Sequence, residues 1–254
     1  MSFVTVHDVN HSYFSEREAT EALRDISFTM EKGEFISLLG PSGCGKTTLL
    51  SIIAGLLLPT TGTITLNNKT MQGPSRDTGY MLQQDYLFPW KTIEENVTIG
   101  LTITGNKEVQ PRQKALLRLE EFGLYNVEKK YPSELSGGMR QRVALARTLA
   151  TDPSILLLDE PFSALDYQTK LKLEDLVFDT LKAYEKTAIL VTHDIGEAIA
   201  MSDKIILLSP NPGTIHRTFH LSDELRTIRP FEARQHDTYN DWFREIWKEM
   251  ESLE

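Results

Sequence analysis

The chain has one cysteine, Cys44, in 254 residues. That excludes an internal disulfide and suits a reducing compartment. It also lacks an apolar run that could cross a bilayer. The longest, Leu49 to Leu58, is broken by Ser51 and Gly55, and about 20 apolar residues are needed. Any membrane role is therefore expected to pass through a partner. Positive charge is short too: 27 Lys and Arg stand against 36 Asp and Glu, for a net charge of −9. This argues against a broad nucleic-acid or anionic-lipid surface. The stretch Met1 to Asp8 has no basic segment followed by an apolar one, so no secretory signal is expected. There is no internal repeat and no low-complexity tract. What remains is 40% hydrophobic and 25% charged, the balance of a soluble globular protein of one large domain or two small ones.

Against that plain background one stretch stands out: Gly40-Pro41-Ser42-Gly43-Cys44-Gly45-Lys46-Thr47-Thr48. It fits the G-x-x-x-x-G-K-[ST] phosphate loop at every position. Glu34 to Leu39 reads as a buried strand entering it, and Thr48 to Ala54 as an apolar helix leaving it. Glycines let consecutive backbone N–H groups curl around phosphate oxygens, and the helix N-terminus adds partial positive charge. Lys46 can then reach the β- and γ-phosphates and the Thr47 hydroxyl can ligate Mg²⁺. Cys44 reads as a small filler with no need to be reactive. A glycine-rich turn with a chance match is the rival reading.

Strands are predicted at Phe3 to Phe14, Ala22 to Met30, Thr63 to Leu66, Gly79 to Leu82, Ser154 to Leu158, Ala188 to Thr192 and Lys204 to Ser209. Ser15 to Thr20 reads as a polar turn. From Pro89 to about Ala150 helices dominate, at Thr92 to Leu101, Pro111 to Phe122 and Gly137 to Ala150. A further helix, Tyr167 to Tyr184, carries an apolar stripe. Strands alternating with helices imply a mainly parallel sheet covered on both faces. After Gly213 come a strand-like segment, Ile215 to Leu221, and a helix from about Phe231. Tyr239, Trp242, Phe243, Ile246, Trp247 and Met250 line one face of that helix. That face either packs back on its own domain or takes a partner.

Two more stretches carry chemistry. Ile155 to Leu158 is an apolar run ending in Asp159 and Glu160. Next to a phosphate loop, the first carboxylate can hold Mg²⁺ and the second can act as a general base toward water. Leu135-Ser136-Gly137-Gly138-Met139-Arg140-Gln141-Arg142 opens a helix with Ser136 as N-cap, which makes a second anion site. Two phosphate-type helix starts far apart in one chain suggest two surfaces sharing one nucleotide.

With these residues the sequence resembles the ATP-binding cassette ATPases over about Phe3 to Ser209. The resemblance implies an α/β phosphate-loop NTPase core with a mainly parallel sheet, an N-terminal antiparallel β subdomain and an inserted helical subdomain. The ATPase domain would span 1–220, with the helical insertion at about 89–150, and 221–254 would form a C-terminal extension. Tyr13 matches the aromatic that stacks on adenine, or is a strand-end core residue. Gln83 matches the glutamine that touches Mg²⁺ and the attacking water, so Thr47, Gln83 and Asp159 are the implied metal ligands. Glu160, Gln83 and His193 are the implied catalytic set, with His193 as the γ-phosphate switch or else a satisfied loop histidine. Ser136, Gly137, Gly138 and Met139 match the signature that meets the opposite subunit's ATP. Met139 departs from the usual Gln. Ser163-Ala164-Leu165-Asp166 match the loop crossing the dimer interface.

The resemblance extends to the nitrate, sulfonate and taurine importer group, through Leu87-Phe88-Pro89-Trp90, the signature and the tail. It implies ATP and Mg²⁺ as cofactors, a second copy as ATP-sandwich partner, a membrane permease, indirectly a solute-binding protein, and no nucleic acid. The location would be the cytoplasmic face of the membrane. Tyr86, Phe88 and Trp90 would contact the permease, or else form a core cluster at a helix start. A cassette ATPase serving assembly or repair is the other functional reading.

Overall fold

The computed structural model describes residues 2–15, 18–105, 109–163 and 165–253. Glu16 and Arg17 of the expected turn, and Ala164 of the crossing loop, lie outside the described residues. The strands in chain order are β1 (Val4–Phe14), β2 (Ala19–Met30), β3 (Phe35–Leu39), β4 (Thr61–Leu66), β5 (Lys69–Thr70), β6 (Thr78–Met81), β7 (Ile155–Asp159), β8 (Thr187–Val191), β9 (Lys204–Ser209) and β10 (Thr214–His220). The helices are α1 (Lys46–Ile53), α2 (Ile93–Ile103), α3 (Val109–Glu121), α4 (Gly137–Leu149), α5 (Tyr167–Ala183), α6 (Ile195–Met201), α7 (Asp223–Thr227), α8 (Pro230–Ala233) and α9 (Tyr239–Glu251).

Two sheets form. A four-stranded antiparallel sheet runs β2-β1-β4-β5, and a six-stranded sheet runs β10-β9-β3-β8-β7-β6. In the second, all neighbours are parallel except β9 and β10. Every residue of β3, β7 and β8 is buried, as strands covered on both faces must be. The parallel core, the antiparallel β subdomain and the helical insertion are those implied by the sequence.

Alternation along β9 shows the layering. Ile206 and Leu208 face a core shared with β1, β3 and α1. Ile205 and Leu207 face a second core made with α6 and the tail residues Leu225, Ala233 and Ile246. Successive strand residues point to opposite faces, so the tail is the layer covering this face. A third core joins Leu156 and Leu158 of β7 to α2, α3, α4 and α5. Among the described residues no helix is long and apolar enough to cross a membrane.

Local differences from the sequence reading have simple causes. β2 starts at Ala19, pairing Ala19 with Phe14 and Thr20 with Tyr13; its first residues are exposed, so they read as polar turn. Helix α6 has every residue buried and therefore no amphipathic period to detect. The tail helix is split: α8 starts with Pro230 at its first turn, and α9 begins only at Tyr239, where the apolar spacing starts.

Candidate active site

Four neighbouring strands, β3, β8, β7 and β6, run parallel, so their carboxyl ends open on one edge. That edge carries the phosphate loop after β3, His193 after β8, Asp159 and Glu160 at the end of β7, and Gln83 after β6. The loop geometry demands glycine. Gly40, Gly43 and Gly45 have φ of 153°, 80° and 89°. A Cβ on Gly45 would sit 2.6 Å from Leu23 Cδ2, and one on Gly40 2.5 Å from the Leu208 carbonyl oxygen. Cys44 is buried, and burial pushes its thiol up, in keeping with a filler.

Lys46 is only 7% exposed. Its Nζ donates to the carbonyls of Gly40 at 2.7 Å and Pro41 at 2.9 Å. No carboxylate among the described residues pairs with it. It also lies 3.6 Å from Cys44 Sγ, and a buried ammonium held only by carbonyls and a thiol fits a phosphate as its missing counter-charge. Beside it Thr47 Oγ1 donates to Asp159 Oδ1 at 3.1 Å and Tyr80 Oη to Asp159 Oδ2 at 3.4 Å. Burial pushes the Asp159 carboxyl up. An oxygen-only pair of hydroxyl and desolvated carboxylate suits a hard divalent cation completed by phosphate oxygens.

Glu160, at φ 46°, presents Oε2 to two groups. Gln83 Nε2 donates to it at 3.2 Å, and His193 Nδ1 lies 3.3 Å away. The structure thus gathers Gln83, Glu160 and His193 around one oxygen. A cleft of about 430 Å³ is lined by Tyr13, Ser42, Gly43, Gly45, Lys46, Thr47, Thr48, Glu160 and His193. Tyr13 is 45% exposed, which removes the core reading. Its Oη lies 3.1 Å from Thr48 Oγ1. Asn211 and Pro212 also line this cleft.

The Ser136 helix start does not line that cleft. Ser136 caps α4, accepting from Met139 N at 3.4 Å, and Gly137 borders a separate cleft of about 640 Å³ with Gln83, Glu160 and His193. Gly138 is held close: a Cβ there would sit 2.7 Å from Thr169 Cγ2. Met139 is partly buried against the helical core. Asp166 caps α5, accepting from Thr169 N at 3.0 Å; its bonds to Thr169 hold its carboxyl below the usual range.

The segment after Gln83 is tied down from behind and exposed in front. Tyr86 is 58% and Trp90 70% exposed, and Phe88 is half-buried with its ring 5.5 Å from that of Trp90. The core-cluster reading fails for Tyr86 and Trp90. From α4, Gln141 Nε2 donates to the Gln83 carbonyl at 3.2 Å, Arg140 Nε to Asp85 Oδ2 at 2.9 Å, and Arg147 to the Asp85 and Tyr86 carbonyls at 2.6 and 2.8 Å. From α2, fully buried Asn96 accepts from Phe88 N at 2.7 Å and donates to the carbonyls of Phe88, Lys91 and Thr92. Sequence reasoning missed this clamp, whose only signal is polar residues at core positions of helices.

A family model described as ABC transporter matches residues 23–163. The chain belongs to the ABC transporter family. Among curated proteins it is similar to YtlC, an ABC transporter ATP-binding protein of Bacillus subtilis, with 63% identity over all of this chain and 98% of that protein. It shares 45% identity with the taurine import ATP-binding protein TauB of Roseobacter denitrificans, over 79% of this chain and 75% of that one. It shares 42% with the nitrate import ATP-binding protein NrtD of Synechocystis, over 84% and 80%. Among solved structures, a dimeric ATP-binding cassette in a post-hydrolysis state bound to ADP and Pi superimposes with a TM-score of 0.77 at 34% identity, covering 86% of this chain and 99% of that one. This chain is therefore an ATPase cassette with the fold read from its sequence.

Proposed function

We propose that this cassette is the ATP-hydrolysing subunit of an importer. It would work at the cytoplasmic face of a membrane and drive a small solute of nitrate, sulfonate or taurine type through a permease. The observation carrying this reading is the exposed aromatic segment Tyr86 to Trp90, joined by one short loop to Gln83 at the γ-phosphate end of the site. Exposed aromatics of this kind usually receive an apolar partner, and relatives at 45% and 42% identity are named import proteins. A solute-binding protein would act on the permease, not on this chain.

In this reading the phosphate loop and Lys46 bind the triphosphate, and Tyr13 stacks on adenine. Thr47, Asp159 and Gln83 would hold Mg²⁺, whose contribution is to neutralise charge on the phosphates. Glu160 polarises the attacking water, while Gln83 and His193, already gathered at its Oε2, orient that water and sense the γ-phosphate. Ser136, Gly137, Gly138 and Met139 would meet the ATP of a second copy, with Asp166 in the loop between them. The dimeric relative bound to ADP and Pi supports that arrangement.

The test is Trp90→Ala. At 70% exposure the truncation should cost little stability, about 0.5 kcal/mol or less, and leave basal ATPase within a few-fold. Permease capture in mild detergent and solute uptake should both fall, because an interface Trp can carry about 2 kcal/mol or more of binding. Unchanged permease binding by the variant would refute the contact. Failure of the parent protein to co-purify with any membrane subunit would favour a cassette serving assembly or repair.

A further inference from the structure

His193 stands between Thr192 and Asp194, and both neighbours are braced from behind. Thr192 is 2% exposed; its Oγ1 accepts from Asp194 N at 3.0 Å and donates to Glu197 Oε2. Asp194 caps α6 by accepting from Gly196 N at 2.7 Å and Glu197 N at 3.2 Å. Lys170 of α5 ties the two acids together, its Nζ 2.6 Å from Asp194 Oδ2 and 2.6 Å from Glu197 Oε1.

One turn along α5, on the same face, lies Glu174, with 0% exposure. The tail reaches it: Arg234, just after α8, places Nη1 2.7 Å from Glu174 Oε2. The same Nη1 donates to the Pro230 carbonyl at 3.2 Å, and neither Glu174 oxygen has a hydrogen bond among the described residues, so the contact is an ion pair. Tyr239 of α9 closes over the start of α6, where a Cβ on Gly196 would sit 2.8 Å from its Oη. The network holds three acids (Glu174, Asp194, Glu197) and two bases (Lys170, Arg234).

We propose that Arg234 and Tyr239, carried by the C-terminal tail, are positioning residues for His193. Arg234 neutralises Glu174 and so leaves Lys170 free to hold Asp194 and Glu197. Without it, at a pH where Glu174 has shed its proton, Glu174 is a buried carboxylate whose nearest remaining cation is Lys170. Lys170 then swings one turn along its own helix, the cap of α6 loosens, and the loop carrying His193 loses its backing. The tail thus tunes turnover from behind the site without touching nucleotide. This rests on His193 acting at the γ-phosphate, as proposed above.

The experiment is steady-state ATPase kinetics on the full chain, run about 1.5 pH units above the value of about 7 to which burial pushes Glu174, so that its carboxylate is ionised. Arg234→Ala should lower kcat at least five-fold with KM for ATP within two-fold, since the phosphate loop is untouched. Adding Glu174→Gln should return kcat to within two-fold of the parent, because no competing charge remains to draw Lys170 away. A kcat within two-fold of the parent in Arg234→Ala overturns the proposal. So does a double variant as slow as the single one, which would mean simple loss of packing. Arg234→Gln, which keeps most of the stem, is held to the same limits if the alanine variant melts below the assay temperature. His193→Ala, run in parallel, separates the two readings. Full activity in that variant overturns the role of His193 and the bracing with it. Loss there, with Arg234→Ala unaffected, overturns the bracing alone.

Discussion

The buried Glu174 carboxyl should leave a mark on the pH dependence of stability. Burial pushes it from the ordinary 4.5 up to about 7, with Arg234 and Lys170 pulling it down and Glu197 pushing it further up. Arg234 and Glu197 face it from other elements, Lys170 from its own helix, and Tyr239 of α9 feels its charge. At about 1.4 kcal/mol per tenfold change in proton affinity, the rise corresponds to roughly 3 kcal/mol, and with the side chain fully buried no solvent discount applies. The folded pKa lies above the unfolded one, so the folded chain holds this proton across the window between them. Its contribution to stability is whole below about pH 4.5 and is lost as pH rises through about 7. Carboxyls held low, such as Asp194, act in the opposite sense at more acid pH, so the useful quantity is a difference. Urea unfolding of the parent and of Glu174→Gln should be compared from pH 5 to 8. The variant should gain on the parent by on the order of 3 kcal/mol across that range, because the amide has no charge to bury. Two curves that run parallel from pH 5 to 8 would refute the assignment of this proton to Glu174.

Three further outcomes are expected. Lys46→Ala should abolish hydrolysis and weaken ATP binding, since the loop loses its only buried cation; near-normal turnover in a coupled-enzyme assay would overturn the site. Glu160→Gln should keep ATP binding, stop hydrolysis and accumulate a dimer in size-exclusion chromatography with ATP and Mg²⁺; persistence of the monomer would count against the sandwich. Ile246→Ala should cost about 2–5 kcal/mol in urea unfolding, because Ile246 is fully buried between α9 and the sheet. Trp247→Ala, at a position 51% exposed, should cost clearly less, and equal losses would contradict the observed docking of the tail.

The parts legible in the sequence are those where chemistry forces residue type at short range. The phosphate loop, the apolar run into Asp159 and Glu160, and the Ser136 cap each sit within about ten residues and could be read directly. Their meeting place could be read because parallel strands put such ends on one edge. The brace behind His193 could not. Lys170, Glu174, Glu197 and Arg234 come from three separate stretches, and on a helical wheel Lys170 and Glu174 look like a solvated face. Glu174 is covered because the tail folds over α5, and Lys170 because the start of α6 lies beside it, while Leu173, Val177 and Leu181 pack into the helical core. The aromatic segment was visible as composition, but its clamp by Asn96 and Arg147 depends on α2 and α4 being neighbours in space.

That clamp gives α4 a mechanical property. Its first turn, at Ser136, is the part that the proposed sandwich would offer to a second copy's nucleotide, and Arg147, near its other end, grips the main-chain carbonyls of Asp85 and Tyr86. At 1.5 Å per residue, the eleven steps from Ser136 to Arg147 make a rigid arm of roughly 16 Å. A tilt of about 10° about the Ser136 end would carry the Arg147 end by roughly 3 Å, comparable to a hydrogen-bond length. Because the grip is on backbone and not on side-chain tips, the aromatic segment must travel with the arm or break its bonds. Nucleotide engaged by one copy would therefore be felt as displacement at the outward surface of the other, amplified by leverage and with little slack in the joint.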